Sequence, residues 1–342
     1  MLRLPPINLL SPGSVQDAAK AVVDNGARLV AGGTDLWPNM KRRHQKAETV
    51  VSLMSIAGLD EIDSAATDIR LGATATLANI IRDDKTRLRF PALATALASI
   101  SSPPLRNMGT IGGNLCIDTR CTYYNQTEEW RRSIDYCLKE EGTICWVATK
   151  SPRCWAHTAS DAAPILCALD AKVKLVSTTG ERQLALAEMY IDDGIDYLAK
   201  QPGEILTDVI VPGSSDAEHC KSAFWKLRRR GSIDFSTLSV AAAVWTDGKD
   251  IVTRASMYLG AVGAAPMPVD EIATILVGNK MTEDKIAEVA HVAHKIARPM
   301  DNTDFAPSWR GKMTEQYATA VLREIAGLPQ LRKRPRHILK VL

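Results

Sequence analysis

The sequence predicts an α+β fold in which a longer N-terminal domain, residues 1–220, precedes a smaller C-terminal domain at 221–328. Before residue 220, short apolar runs alternate with amphipathic stretches and glycine turns, which indicates alternating strands and helices. Beyond it, longer apolar strands follow one another before two amphipathic helices, which is typical of an antiparallel sheet covered by helices. A basic segment, 329–342, is expected to be an exposed tail.

The composition is that of an ordinary soluble chain. Of its 342 residues, 46% are apolar and 24% charged, and the net charge of +3 favours neither nucleic acid nor an acidic membrane. No apolar run reaches the roughly 18 residues of a membrane helix, and Pro5 and Pro6 interrupt the N-terminal stretch where a signal peptide would be apolar. We therefore expect a cytoplasmic protein, in which clustered cysteines favour metal binding or redox work.

The first elements in chain order are a helix, a strand, a glycine turn and a second helix. Residues 14–25 predict a helix, because Ser14 can cap its first turn and Gly26 supplies a left-handed exit. The short apolar strand ARLV follows, then a glycine pair, and Asp35 is the expected start of the next helix.

Later elements are predicted from the same signals. A strand is expected from Ile69 with a helix from about Thr76, and a helix capped by Ser160 or Asp161 leads into the strand KVKLV. In the C-terminal domain we expect strands around the turn Asp247-Gly248, then helices near 282–297 and 314–326.

Two glycine turns are the candidate ligand-binding segments: AGGTDL at 31–36 and TIGGN at 110–114. Backbone N–H groups that no Cβ covers suit a pyrophosphate, because they form an anion nest to which a helix N-terminus adds partial positive charge. Neither turn matches G-x-G-x-x-G or G-x-x-x-x-G-K-[ST], so a Rossmann site or a P-loop is not supported. Taken singly, each is also consistent with a plain tight turn.

AGGTDL, TIGGNLC, SDAAPILCALDA and FWKLRRRGSIDFSTLSVAAAV succeed one another over essentially the whole chain. This succession resembles the FAD-binding medium subunits of the molybdenum hydroxylases, the xanthine oxidase family. The resemblance implies an FAD-binding domain of the vanillyl-alcohol-oxidase (PCMH) type, made of two α+β subdomains divided near residue 56, and a smaller C-terminal domain of sheet and helices.

The resemblance also implies which residues contact FAD. Around the pyrophosphate they are Val30, Ala31, Gly32, Gly33, Thr34, Asp35 and Leu36, and in a second flavin loop Thr110, Ile111, Gly112, Gly113 and Asn114. Asp161 is implied as an acceptor for a ribose or ribityl hydroxyl, and Lys226 as a charge near the cofactor. A helix cap and a surface salt bridge are the respective alternatives.

Five of the seven cysteines lie between Asn114 and Trp155. Cys116 is assigned to the second glycine turn, and the other four occupy an insertion at 117–158 with the spacing C-x15-C-x7-C-x8-C: Cys121, Cys137, Cys145 and Cys154. Four thiolates match a 4Fe-4S cluster, but the spacing is neither that of zinc knuckles nor that of bacterial ferredoxins. From spacing alone, a cluster, a zinc site and unligated or disulfide-bonded cysteines all stay open.

The segments DTRCTYYNQTEEWRR, YCLK and KSPRCW resemble the β subunit of the 4-hydroxybenzoyl-CoA reductase subfamily, which carries an additional 4Fe-4S cluster in this place. The resemblance implies that the four insertion cysteines bind such a cluster. It further implies a heterohexamer with a molybdopterin-binding large subunit and a 2Fe-2S small subunit. Electrons would pass from a carrier such as ferredoxin through the cluster and FAD towards molybdenum, where an aromatic acyl-CoA is reduced.

Three alternatives remain from the sequence. The chain could serve as the same subunit in another hydroxylase or dehydrogenase of the family, as a nucleotide-binding module stapled by zinc, or as a free-standing flavin oxidase. No catalytic residue is predicted, because the six histidines are scattered and neither H-E-x-x-H nor G-x-S-x-G occurs.

Overall fold

A computed structural model describes residues 2–213, 219–331 and 333, so most of the basic tail lies outside the described residues. The helices are α1 Val15–Asn25, α2 Leu36–Lys41, α3 Leu77–Arg82, α4 Asp84–Arg89, α5 Pro91–Ala98, α6 Pro103–Arg106, α7 Ile111–Leu115, α8 Glu128–Ser133, α9 Ala162–Ala168, α10 Glu271–Leu276, α11 Glu283–Ile296 and α12 Pro307–Ile325. The strands are β1 Asn8–Leu10, β2 Arg28–Val30, β3 Thr49–Ser52, β4 Ile62–Asp63, β5 Ile69–Gly72, β6 Lys172–Ser177, β7 Gly180–Ala185, β8 Ile205–Val211, β9 Cys220–Leu227, β10 Leu238–Thr246, β11 Val252–Gly260 and β12 Met267–Pro268. No helix in this part of the chain is long and apolar enough to cross a membrane.

The N-terminal sheet is parallel, with strand order β1-β3-β2, and α1 packs against it. The caps of α1 agree with the sequence prediction: the Asp17 N–H donates to Ser14 Oγ, and Gly26 ends the helix with φ of 57°. This sheet matters for the site because β2 ends at Val30, directly before the first glycine turn.

The second sheet has the order β4-β5-β8-β6-β7, and its strand pairs are antiparallel. Helices α3, α5, α7 and α9 contribute to the apolar core beside it, where Leu93, Leu97 and Leu166 are fully buried. Truncating one such leucine to alanine is expected to cost about 2–5 kcal/mol. The core therefore fixes the position of α7, and the second glycine turn expected at 110–114 is in fact the start of this helix, with Thr110 as its N-cap.

The C-terminal sheet is also antiparallel, in the order β12-β11-β10-β9, and α12 packs on β9 and β10. The helix predicted from residue 314 in fact begins at Pro307. Pro307 and Gly311 read as breakers in the sequence, yet proline is well tolerated in a first helical turn. The fully buried Arg310 holds that turn by donating to the carbonyl oxygens of Thr237, Met300 and Ala261.

The cysteine-bearing insertion has little regular structure, with α8 as its helix among the described residues. Paired backbone hydrogen bonds between Arg120 and His157, at 2.9 and 2.8 Å, close its base. Asn302 of the C-terminal domain accepts from the Thr122 N–H and donates to the Trp155 carbonyl. The insertion is thereby fixed to both domains.

Candidate functional site

The two glycine turns, which are far apart in sequence, lie against each other. A Cβ on Gly32 would stand 1.7 Å from the Met108 carbonyl oxygen, directly before the second turn. Gly33 has φ of +69°, a left-handed conformation that glycine adopts without strain. The glycines are therefore required for the close approach of the two backbone segments.

The first turn presents free hydrogen-bond donors. Within the described part of the chain, the backbone N–H groups of Gly32, Gly33, Thr34 and Asp35 have no hydrogen-bond partner. Four successive N–H donors with no protein acceptor, all on residues that line a cavity, form an anion-binding concavity. This is the feature expected of a pyrophosphate cradle.

Both turns line one cavity of about 590 Å³. That volume falls within the range of roughly 300–1,000 Å³ for ligand pockets. Twelve of the fourteen flavin-contact residues implied by the resemblance line this cavity: Val30, Ala31, Gly32, Gly33, Thr34, Asp35, Leu36, Thr110, Gly112, Gly113, Asn114 and Asp161. Ile111 and Lys226 do not, because both are fully buried behind its wall.

The second turn forms the wall of the cavity but offers no comparable donors. Its N–H groups are already used: Ile111 donates to Ala75, Gly112 to Ala73 and Gly113 to the Thr110 side chain. The Asn114 side chain accepts from Ser160 Oγ and from the Ala162 N–H, which ties the turn to the start of α9. The two turns, similar in sequence, therefore have different roles.

Asp35 does not cap α2 with its side chain, contrary to what its position suggests. Its carboxylate instead pairs with Arg120, at the base of the insertion, and accepts from Asn39 Nδ2 at 2.8 Å. Burial raises the pKa of Asp35, and the Arg120 charge opposes that effect. Arg120 in turn lies over the Phe235 ring at 4.4 Å, so it connects the first glycine turn, the insertion and the C-terminal domain.

Asp161 and Lys226 form a buried ion pair, with Lys226 Nζ 2.5 Å from Asp161 Oδ2. Ser160, rather than Asp161, caps α9 by accepting from the Ala163 N–H, so the Asp161 carboxylate is available to Lys226 and Ser236. Burial lowers the pKa of Lys226, whereas the Asp161 charge raises it. The salt bridge of Lys226 is therefore buried and does not lie at the surface. Asp161 does not cap α9 with its side chain.

Sequence inspection missed two strained residues beside the cavity. Ser101 and Ile233 both line it and both have positive φ, 48° and 58°, which is a genuine outlier for β-branched isoleucine. The Ile233 N–H donates to the Ser101 carbonyl, so the two segments hold each other. Strain of this kind clusters at ligand sites, but no local pattern signals a left-handed isoleucine.

The four insertion cysteines are all buried, with exposures of 5–7%, and none forms a disulfide. Cys121, Cys137 and Cys154 share a small apolar cluster with Tyr124 and Ala156. Cys145 is near enough to Cys137 and Cys154 for a charge on its sulfur to raise the pKa of both. The four cysteines between residues 121 and 154 therefore lie in one part of the insertion.

These thiols lie in a setting that opposes free thiolates. Burial raises the pKa of Cys121 to about 12 and that of Cys154 to about 11, and it also raises the pKa of Cys137. Cys154 Sγ nevertheless accepts the Ala156 N–H at 3.4 Å, and the nearby backbone N–H groups of Tyr123 and Lys139 oppose the rise in the pKa of Cys121 and Cys137. Donors aimed at sulfur stabilise its ionised form once a metal supplies positive charge.

Among the described residues, no three His, Cys, Asp or Glu side chains are grouped closely enough to hold a metal ion. The four buried side chains are nevertheless thiols, and thiolates are ligands of both structural zinc sites and 4Fe-4S clusters. The residue types therefore fit either group.

A buried lysine lies beside these thiols. The Lys139 side chain is 6% exposed, and its Nζ donates to Asp118 Oδ1, Thr119 Oγ1 and the Gly194 carbonyl at 2.8, 2.8 and 2.6 Å. Asp118 also accepts from Gln45 at 3.0 Å and lines the cavity. No role could be predicted for Lys139 from the sequence, because one lysine in the run LKEEG carries no pattern.

The cavity, its unpartnered N–H groups and the flanking α+β sheets define a dinucleotide-binding protein without a Rossmann motif. Residues 5–214 match the family model for the FAD-binding domain in molybdopterin dehydrogenase, and residues 222–325 match the CO dehydrogenase flavoprotein C-terminal domain. The chain belongs to this family of FAD-binding oxidoreductase subunits, so the family resemblance and the fold class predicted from the sequence are confirmed.

Relatives with similar sequences or folds support the same family assignment. The chain is 30% identical over 277 residues to the aldehyde oxidoreductase FAD-binding subunit of Escherichia coli, covering 78% of this chain and 84% of that protein. It is 29% identical over 267 residues to the nicotinate dehydrogenase FAD-subunit of Eubacterium barkeri, covering 78% and 77%. The crystal structure of a cyanide-inactivated Cu,Mo-CO dehydrogenase matches its fold with a TM-score of 0.77 at 23% identity, over 95% of this chain and 99% of that one.

Proposed function

We propose that this chain is an electron-transfer subunit that binds FAD between its two glycine turns. The observation that carries the proposal is the run of four unpartnered N–H groups, Gly32 to Asp35, at the wall of the 590 Å³ cavity. Bound FAD supplies the exchange of one or two electrons. The chain binds and orients it, and its own residues carry out no substrate chemistry.

Separate groups of residues in the cavity suit the pyrophosphate and the hydroxyl groups of FAD. The Gly32–Asp35 N–H groups would hold the pyrophosphate, and Thr110 to Asn114 would cover its other side. Asp161 has one acceptor site filled by Lys226 and one by Ser236, and a carboxylate has about four lone-pair sites. It can therefore still accept a ligand hydroxyl while its charge stays balanced.

We further propose that Cys121, Cys137, Cys145 and Cys154 bind a 4Fe-4S cluster. Their common burial, their free thiols and the backbone N–H of Ala156 that donates to Cys154 Sγ at 3.4 Å support this assignment. Tyr123 and Trp146 pack against the same group and would keep water away from the cluster. Burial and hydrogen bonds to sulfur are two of the factors that set the potential of such clusters.

The partners follow from the relatives, which are named as subunits or chains of larger enzymes. We propose that the chain assembles with a molybdopterin-binding large subunit and a 2Fe-2S small subunit, as a heterohexamer, and exchanges electrons with a carrier such as ferredoxin. The substrate would then bind on the large subunit.

For the whole enzyme, the relatives favour a hydroxylase or dehydrogenase, because nicotinate dehydrogenase, aldehyde oxidoreductase and carbon monoxide dehydrogenase are among their names. An aromatic acyl-CoA reductase of the 4-hydroxybenzoyl-CoA reductase type is the second candidate. The observation that favours it is the four-cysteine insertion, since an additional cluster suits a one-electron donor of low potential.

The two reactions run electrons in opposite directions, and this separates them. The enzyme complex should be purified anaerobically through this chain and assayed in both directions. One assay offers aldehydes and N-heteroaromatic compounds with an electron-accepting dye, and the other offers 4-hydroxybenzoyl-CoA with reduced viologen. Activity only in the assay with substrate and oxidising dye would support a hydroxylase or dehydrogenase. Dehydroxylation of 4-hydroxybenzoyl-CoA by reduced viologen would support the acyl-CoA reductase. A complex without FAD would contradict the proposal itself.

A further inference from the structure

We propose that Lys139 is a positioning residue whose fixed positive charge raises the reduction potential of the iron–sulfur cluster relative to the flavin. The inference rests on the cluster assigned to the four cysteines above. It is carried by the position of Lys139 between the sulfur group and the flavin cavity, and by the way its ammonium is held.

The ammonium of Lys139 is held by oxygen acceptors alone. Asp118 Oδ1, Thr119 Oγ1 and the Gly194 carbonyl, at 2.6–2.8 Å, take up the three N–H donors that a lysine possesses. Its stem passes the rings of Tyr124 and Tyr197, with the nitrogen 5.1 and 5.5 Å from their centroids. No donor is left for a sulfur, so Lys139 acts on the cluster through its charge.

The same contacts place the lysine between the two cofactor sites. Asp118 and Tyr197 both line the flavin cavity. On the other side, the backbone of Gly194 lies against Cys154, since a Cβ on this glycine would stand 2.6 Å from Cys154 Sγ. Lys139 is itself two residues from Cys137. The partition between the sulfurs and the cavity is therefore built around one buried cation.

The charge lies beside the sulfurs. Lys139 Nζ donates at 2.6 Å to the carbonyl of Gly194, the residue whose Cβ would stand 2.6 Å from Cys154 Sγ. Lys139 is paired with one carboxylate, that of Asp118, whereas the buried Arg131 is paired with two, those of Glu128 and Glu140. Lys46 at its edge is well exposed and pairs with Glu141 at 2.7 Å, so solvent screens it.

Reduction of the cluster adds one electron from the external carrier, with no bond made or broken and no proton taken up. The reduced cluster is therefore more negative by one charge. A nearby cation in a partly buried site stabilises that state more than the oxidised one, so it raises the potential. Removing the cation should lower it and leave the thiolate ligands in place.

The test is an EPR-monitored redox titration of the full-length protein, purified anaerobically with the subunits that it retains. Lys139→Met removes the charge and keeps the length of the side chain, whereas Lys139→Arg keeps the charge. Asp118→Asn leaves Lys139 charged but removes its counterion. Lys46→Met is the matched control, a lysine that contacts the insertion from the solvent side.

We expect Lys139→Met to lower the equilibrium constant for cluster reduction about tenfold, equivalent to about 59 mV for a one-electron couple. Lys139→Arg should restore it to within about threefold, and Asp118→Asn should shift it in the opposite direction by removing a neighbouring negative charge. Lys46→Met should leave it unchanged. If Lys139 and Asp118 had a purely structural role, Lys139→Met and Asp118→Asn would shift the reduction potential of the cluster in the same direction.

The inference is overturned if Lys139→Met keeps its iron and its wild-type potential, or if Lys139→Met and Asp118→Asn shift the potential in the same direction. Should Lys139→Met lose its iron, the sign of the Asp118→Asn shift decides alone. If the cluster assignment itself is wrong, the wild-type protein will lack iron and acid-labile sulfide. That result is distinct from any shift in potential among the variants.

Discussion

Gly32 is the residue on which the flavin site depends most directly. Its α-carbon faces the Met108 carbonyl so closely that a methyl group would overlap it, at 1.7 Å. The two turns must therefore separate to admit any side chain, and the four N–H donors move with the first turn. Glycine at this position is required for the packing of the two segments, and the proposed anion cradle depends on that packing.

Gly32→Ala should abolish retention of FAD and destabilise the fold by about 1–3 kcal/mol, the usual cost of overpacking. Flavin absorbance per mole of purified protein and the denaturant midpoint measure the two effects. Gly13→Ala is the matched control, because nothing lies within 4 Å of a Cβ at that position. A Gly32→Ala protein with a full complement of flavin would contradict the assignment of this turn.

Lys226 illustrates a second kind of residue, one that supports the site from behind. Lys226→Met leaves the Asp161 carboxylate buried without its cation, which typically costs about 3–5 kcal/mol. We expect a loss of that order in the free energy of unfolding, measured by urea denaturation. Arg87→Met removes an exposed pair with Asp84 and should cost only about 0–1 kcal/mol; equal losses would mean that the buried pair contributes nothing special.

At the scale of elements, the insertion is a module with its own small core, fixed at its base and on one side. The Arg120–His157 bridge closes the base, Asn302 holds both ends, and the Gly194 N–H donates to the Cys154 carbonyl at 3.0 Å. The position of Cys154 in the insertion therefore depends on the loop around Gly194 as well as on the insertion itself.

Gly194→Ala should impair binding of the cluster without impairing binding of FAD. The added methyl would press on Cys154 Sγ and Ala156 at 2.6–2.9 Å, so iron should fall well below the wild-type ratio while FAD is retained. Iron and flavin contents of the same preparation give the result. Gly248→Ala, in a turn with nothing within 4 Å of its Cβ, is the control; unchanged iron in Gly194→Ala would argue that the sulfurs need no such support.

Local signals predicted the elements well, and non-local contacts account for what they missed. The Ser14 cap, the Gly26 exit and the Asp247–Gly248 turn depend on neighbouring residues, so the sequence displays them. The early start of α12 depends on Arg310 reaching carbonyls of three distant segments. The different use of the two glycine turns, and the ion pair of Lys139 with Asp118, likewise arise only when the chain is folded.

In the whole molecule, the flavin cavity and the cysteine group lie on either side of one thin partition containing Asp118, Lys139 and Tyr197. The four insertion cysteines are buried, and the cavity that would hold FAD lies in the same folded chain. This arrangement supports the proposed transfer of electrons between two cofactors.

The central claim is that four converging thiols hold one iron–sulfur cluster beside a bound flavin. The most direct measurement is the iron, acid-labile sulfide and FAD content of the isolated chain after anaerobic purification. We expect four iron and four sulfide per FAD, with iron strongly reduced in Cys145→Ser and unaffected in Cys220→Ser. Stoichiometric zinc, or flavin with neither iron nor sulfide, would contradict it.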